Sequence, residues 1–301
     1  MFTIQHIQDQ ECNLNYIELK NTTHNSYAKI HLNLGGSLQE LVLNTKTIIK
    51  NLQPLSYDIS FASAILFPFT CRIKNGVYSF KQQHYTLDLN LKEENNAIHG
   101  LVYNKNFEHI CESISDNAAT VTIGYNQTEK NNGFPFIYSI ILTYRLSIDG
   151  ISLEVTIKNT DSTSFPFNIG WHPYFCSSNL YDSYLSLKSD KKLLFDKDMI
   201  PVKAENIALP SDLQIKDEKF DDCFILSNKS IGFKTPDYRF MMSSSSKENY
   251  FQVFTLNKIN AIALEFLTGP ANSFNNKLGL RELNPKETYT VNWDIKLTED
   301  E

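Results

Sequence analysis

Along most of the chain, apolar side chains recur at every second position rather than at helical spacing. Leu142, Tyr144, Leu146 and Ile148 form one such run and Ile151, Leu153, Val155 and Ile157 the next, with Asp149-Gly150 between them. A period of two places one set of side chains on one face of an extended strand. The Asp-Gly junction predicts a tight hairpin of type I′, since glycine adopts positive φ at little cost. Tyr289, Val291, Trp293, Ile295 and Leu297 alternate just as cleanly, and rougher strands are expected around residues 30–43, 77–80, 85–89 and 120–125. Helical stretches are scarce. Residues 126–133 and 243–249 are rich in polar side chains and read as solvated connections. There is no internal repeat, and the only biased tail is the acidic end Glu299, Asp300 and Glu301. Many strands joined by short polar turns, with no alternating helices, predict an all-β fold, a large antiparallel sandwich or barrel.

Composition narrows the partners. The chain has 301 residues, long enough for two average domains, but all-β sandwiches reach this size as one and nothing forces a split, so a single domain over residues 1–301 is expected. Hydrophobic residues make up 42% and charged residues 21%, which allows a large buried core. A net charge of -6 and the lack of a basic stripe exclude a counterion-releasing grip on nucleic acid. Residues 1–13, MFTIQHIQDQECN, have neither a positive start nor an unbroken apolar stretch, so no secretory signal is expected and the chain is placed in the cytoplasm. No segment approaches the roughly 18 consecutive apolar residues of a membrane helix. Cys12, Cys71, Cys111, Cys176 and Cys223 are odd in number and form no CxxC pair, which argues against a disulfide scaffold and against a zinc site and leaves free thiols.

Three places carry polar residues in apolar surroundings. In AIALEFLTG, alternation puts Ile262, Leu264 and Phe266 on one face and Ala261, Ala263 and Glu265 on the other. The first face would fill a core. The second would leave space before the carboxylate, whose pKa desolvation would raise toward that of a general base; the alternative is an edge strand with Glu265 in water. In FNIGWHPYF, His172 precedes Pro173, which favours an extended backbone, and aromatic rings crowd it. An imidazole among aromatic faces suits acid catalysis on a sugar; the alternative is a partly buried histidine bonded to a carbonyl. The third place, residues 67–100, offers Arg72 as a planar donor to oxygen ligands and His99-Gly100 closing an amide-rich loop. Taken singly, each of these two also admits a structural role, and the acidic pair Asp221-Asp222 reads as a solvated turn.

In order, Phe67-Pro68 with Arg72-Ile73 and Gly76-Val77-Tyr78, then Asn96-Ala97-Ile98-His99-Gly100, Gly170-Trp171-His172-Pro173-Tyr174-Phe175, Phe220-Asp221-Asp222-Cys223-Phe224 and Leu264-Glu265-Phe266-Leu267-Thr268-Gly269-Pro270 resemble the aldose 1-epimerase (galactose mutarotase) family. The resemblance runs from about Ile65 to Leu297. It implies a large antiparallel β-sandwich and interconversion of the α and β anomers of an aldose. Opening a pyranose needs a base at the C1 hydroxyl and an acid at the ring oxygen; C1 then turns about its bond to C2 and the ring recloses. By the resemblance Glu265 is the base and His172 the acid, starting each cycle as carboxylate and imidazolium, while Arg72, His99 and Asp221 hold the sugar. Asp221 is preferred to Asp222 by its matching position. No metal, nucleotide or redox cofactor is called for.

This chain departs from the family pattern at Cys71, where an asparagine commonly precedes the arginine, and in Ile65-Leu66-Phe67-Pro68, which replaces a glycine-rich lead-in. These mark a divergent branch. A related branch acts on hexose 6-phosphates, but Arg72, Arg145, Arg239 and Arg281 are scattered, so an unphosphorylated aldose is expected. Two rivals remain at this level: a glycoside hydrolase, which would need a second essential carboxylate such as Asp221 or Asp222, and a non-catalytic carbohydrate-binding module.

Overall fold

A computed structural model describes residues 1–9, 14–217, 219–256 and 259–298. Cys12 and the acidic end lie outside the described residues. Three larger sheets occur among those described. The N-terminal hairpins Phe2–Asp9, Leu14–Asn21, Ser26–His31, Ser37–Leu43 and Lys46–Ile49 form a five-stranded sheet in chain order. A nine-stranded sheet begins at the edge with Glu108–Ser115 and continues through Ala118–Gln127, Tyr138–Ser147 and Gly150–Asn159 to Thr288–Leu297. An eight-stranded sheet has Asp221–Leu226, Tyr250–Thr255 and Ala261–Leu267 side by side at its middle. The pairings are antiparallel, as the alternating pattern predicts.

The two largest sheets face each other across aromatic side chains. Trp171 of the eight-stranded sheet meets Trp293 of the nine-stranded one at 6.2 Å between ring centroids, and Phe175 meets Phe240 at 4.6 Å. Offset and tilted ring pairs of this kind add about 0.5–1.5 kcal/mol each to the area they bury. Strict alternation supplies the rest: Leu142, Tyr144 and Leu146 point inward with Leu153, Val155 and Ile157, all buried in one continuous cluster. The same cluster takes in Ile17, Leu19 and Ile30 of the N-terminal sheet, and the buried Tyr144 hydroxyl donates to the Gly36 carbonyl at 2.8 Å. The region 30–43, expected as one rough strand, is two strands with a turn between them.

The hairpin at Asp149-Gly150 forms, but not through a type I′ turn. Neither residue has positive φ. Gly150 is instead the first residue of its strand and sits opposite Lys296, where a Cβ would lie 2.0 Å from the Ile295 carbonyl oxygen. Glycine is needed here for a close backbone approach from a neighbouring strand, which no local pattern reveals. Gly150→Ala and Gly150→Asn should therefore destabilise the protein alike, by roughly 1–3 kcal/mol, in urea unfolding. Asparagine would relieve the loss had the glycine served a left-handed turn.

Candidate active site

The Ala261–Leu267 strand is buried on both faces, which rules out an edge position for Glu265. Ile262, Leu264 and Phe266 enter the main core while Ala261 and Ala263 join a separate small cluster with Tyr174 and Cys176. On this second face Glu265, 1% exposed, opens into a cavity of about 260 Å³. That volume lies near the lower end of ligand pockets, roughly 300–1,000 Å³. Arg72, His99, His172 and Asp221 line the same cavity, so all five candidates converge.

Sheet register does the positioning. Gly170 pairs with Leu267 and Tyr174 with Ala263, so the antiparallel register on either side of His172-Pro173 is the same and sets His172 opposite Glu265. Proline supplies no N–H to the ladder at that point. His172 is held instead through its own backbone, its N–H donating to Ala64 at 3.1 Å and its carbonyl accepting from Ser63 at 2.8 Å. Alternation sends Trp171 and Phe175 into the core and turns His172 and Tyr174 to the cavity, where their rings stack at 5.0 Å. The result is a contact of 3.4 Å between His172 Nε2 and Glu265 Oε1.

On the other side of Glu265 the register brings Gln252 directly opposite, and Gln252 Nε2 donates to Asp221 Oδ1 at 2.7 Å. Asp221 faces the cavity; its neighbour Asp222 pairs with Lys192 at 3.0 Å and does not line it. Arg72 comes from the short strand Arg72–Lys74, which pairs with Asn96–Ile98. His99 follows that partner strand with φ 62°, its N–H donating to the Cys71 carbonyl. Gly100 makes this possible: with φ 76° it lies so close to Phe67 that a Cβ would sit 2.2 Å from the Phe67 oxygen. The Thr-Gly-Pro segment after Glu265 is a structural clamp. Ile169 N–H donates to Thr268 Oγ1, and the Thr70 hydroxyl donates to the Gly269 carbonyl.

Two lining residues escape a sequence reading. Gln252 sits in YFQVFT, an amide between apolar neighbours, and the alternation that singles out Glu265 would have found it. Glu94 lies in a polar stretch that carries no signal, yet its carboxylate takes Arg72 in a bidentate pair, Nε at 2.6 Å and Nη2 at 3.1 Å. The guanidinium is thus half committed before any ligand arrives.

Burial sets the charge state. It pushes the Glu265 carboxyl well above the ordinary carboxylate range, with the Asp221 charge adding to the shift. Burial also lowers His172 to about 4, against a weaker opposing backbone hydrogen bond. His99 is pulled down by burial and then by His172 and Arg72. Burial thus works against the imidazolium expected at neutral pH and favours placing the proton on Glu265 rather than on His172. Glu265 Oε2 and the Nδ1 atoms of His172 and His99 are buried and have no protein partner, so a ligand rich in hydroxyls would satisfy them.

The description of the matching family model is aldose 1-epimerase, and the match covers residues 16–296. The chain belongs to the aldose 1-epimerase family. A relative in Escherichia coli K12, YihR, described as uncharacterized, is 24% identical over 274 residues, covering 87% of each chain. Among solved structures, a galactose mutarotase-like protein of Clostridium acetobutylicum matches with a TM-score of 0.88 at 19% identity over 99% of both chains. A galactose 1-epimerase of Lactobacillus acidophilus matches at 0.82 and 18% over the full length of both. These likenesses show the galactose mutarotase-like sandwich fold. No helix among the described residues is long and apolar enough to cross a membrane.

A pair that works with one proton fails in two directions. As pH falls through about 4, His172 takes a second proton; as pH rises through the raised value of Glu265, the pair loses its only one. Any proton-transfer activity of this pocket should follow a bell with its acid limb near pH 4, below the ordinary histidine range of about 6.5, and its alkaline limb well above 4.5. A pH-rate profile measures both limbs.

Proposed function

We propose that this protein is an aldose 1-epimerase acting on an unphosphorylated aldohexose. The 3.4 Å contact between His172 and Glu265 at the cavity carries the reading. The C1 hydroxyl oxygen and the ring oxygen of a pyranose are bonded to the same carbon, so two proton-transfer groups in contact can reach both at once. In the active form the single proton has crossed to His172. Glu265 then takes the C1 hydroxyl proton while His172 protonates the ring oxygen; the C1–O bond to the ring breaks and the open aldehyde forms. The pair is left neutral, which is the state that burial favours, so the cost of separating its charges is returned as the two transfers occur. Rotation about C1–C2 and reversal of the two transfers close the ring as the other anomer. Asp221, held by Gln252, and Arg72 and His99 grip the remaining hydroxyls. Tyr174, Phe254 and Phe61 line the cavity and suit the C–H faces of a sugar ring.

Polarimetry on freshly dissolved α-glucose and α-galactose should show mutarotation faster than in buffer. Glu265→Gln and His172→Asn should each slow it by roughly 10²–10⁴-fold while circular dichroism stays unchanged. No acceleration with any common aldose would overturn the reading, and release of phenol from nitrophenyl glycosides would point to a hydrolase.

Among the described residues Arg72 is the one cation lining the cavity, and Glu94 holds it, with the Asp221 and Glu265 carboxyls also facing the space. An anionic sugar is thus disfavoured. Glucose 6-phosphate should compete weakly in the same assay, and Glu94→Gln should strengthen its inhibition relative to glucose.

A further inference from the structure

His6, His109 and Glu112 converge on the surface, away from the cavity just described. His6 belongs to Phe2–Asp9, the edge strand of the N-terminal sheet; the other two belong to Glu108–Ser115, the edge strand of the nine-stranded sheet. His6 Nε2 lies 2.7 Å and His109 Nε2 3.3 Å from the same oxygen, Glu112 Oε2. The two imidazoles stand edge to face, 4.8 Å between centroids.

Residues three apart on a regular strand point to opposite faces. Here a bulge intervenes. His109 pairs with Ile123 but Cys111 with Thr122, leaving Ile110 as the extra residue, so Glu112, opposite Val121, returns to the face of His109. Ile123 and Val121 are buried, and their face is the one toward which the N-terminal sheet presents His6. The bulge has its own accommodation: Ile110 Cδ1 lies 2.7 Å from where a Cβ of residue 124 would stand, and that residue is Gly124. Bulges re-aim side chains in this way and are common both at sheet edges and beside active sites.

Two imidazole nitrogens and one carboxylate oxygen make the donor set that suits Zn²⁺ and similar divalent ions. We propose that His6, His109 and Glu112 form a three-ligand site for a divalent transition-metal ion, with Zn²⁺ the best match. The ion would take the place of the His6–Glu112 hydrogen bond and the His109–Glu112 contact and tie the edge of the N-terminal sheet to the edge of the nine-stranded sheet, leaving its remaining positions to solvent. Cys111, on the opposite face of the strand, is not a ligand.

Calorimetric titration of the untagged, chelator-stripped full chain with zinc chloride tests this. One saturable site is expected, together with a melting temperature that rises with zinc. His6→Gln and His109→Gln should each weaken binding by at least about tenfold and abolish the thermal shift, while Cys111→Ser leaves both unchanged. Melts without zinc establish that the variants are folded. Absence of saturable binding, binding that survives both histidine substitutions, or binding lost in Cys111→Ser would overturn the proposal.

Discussion

Glu265 and His172 are both removed from water and pressed together, and the site's chemistry depends on that juxtaposition. Burial disfavours the charged form of each group, yet each is the other's best counter-ion. Burial therefore favours the neutral pair, with the proton on Glu265, over the ion pair. In the reaction proposed above, a sugar that accepts and returns protons at neighbouring oxygens would move the proton from one group to the other. An exposed carboxylate and an exposed histidine would each be solvated separately and would lose this coupling.

The architecture serves that contact by using sheet register as a ruler. Cys223, Gln252 and Glu265 follow one another across adjacent strands, and the shared register of Gly170–Trp171 and Tyr174–Cys176 extends the row to His172. Because side chains alternate, the same strands put aromatic mass into the sandwich interior. Trp171 and Phe175 anchor the segment so that His172, caught between two backbone hydrogen bonds, has little freedom. Cavity-facing and packing residues are interleaved along FNIGWHPYF for this reason.

Arg72 shows an opposing demand. A free guanidinium beside Asp221 and Glu265 would stabilise their charged forms and would draw anionic ligands. Pairing with Glu94 restrains both effects, and Asp221 accordingly stays above its ordinary range, burial outweighing the pull of Arg72. The pocket thus holds several carboxyl groups with little free positive charge.

Strands and their inward faces were legible in the chain itself, because a period of two is a local property and burial follows it. The order of motifs was equally legible, and with it the five residues that share the cavity. The turn at Gly150 was misjudged because its requirement comes from Ile295, far away in sequence. Glu94 left no trace, since a glutamate in a polar stretch looks the same whether or not an arginine stands opposite. Charge state was likewise beyond local reading: the sequence names a histidine and a carboxylate, but only the closure of the fold around them decides how much water each retains, and so which of the two carries the proton.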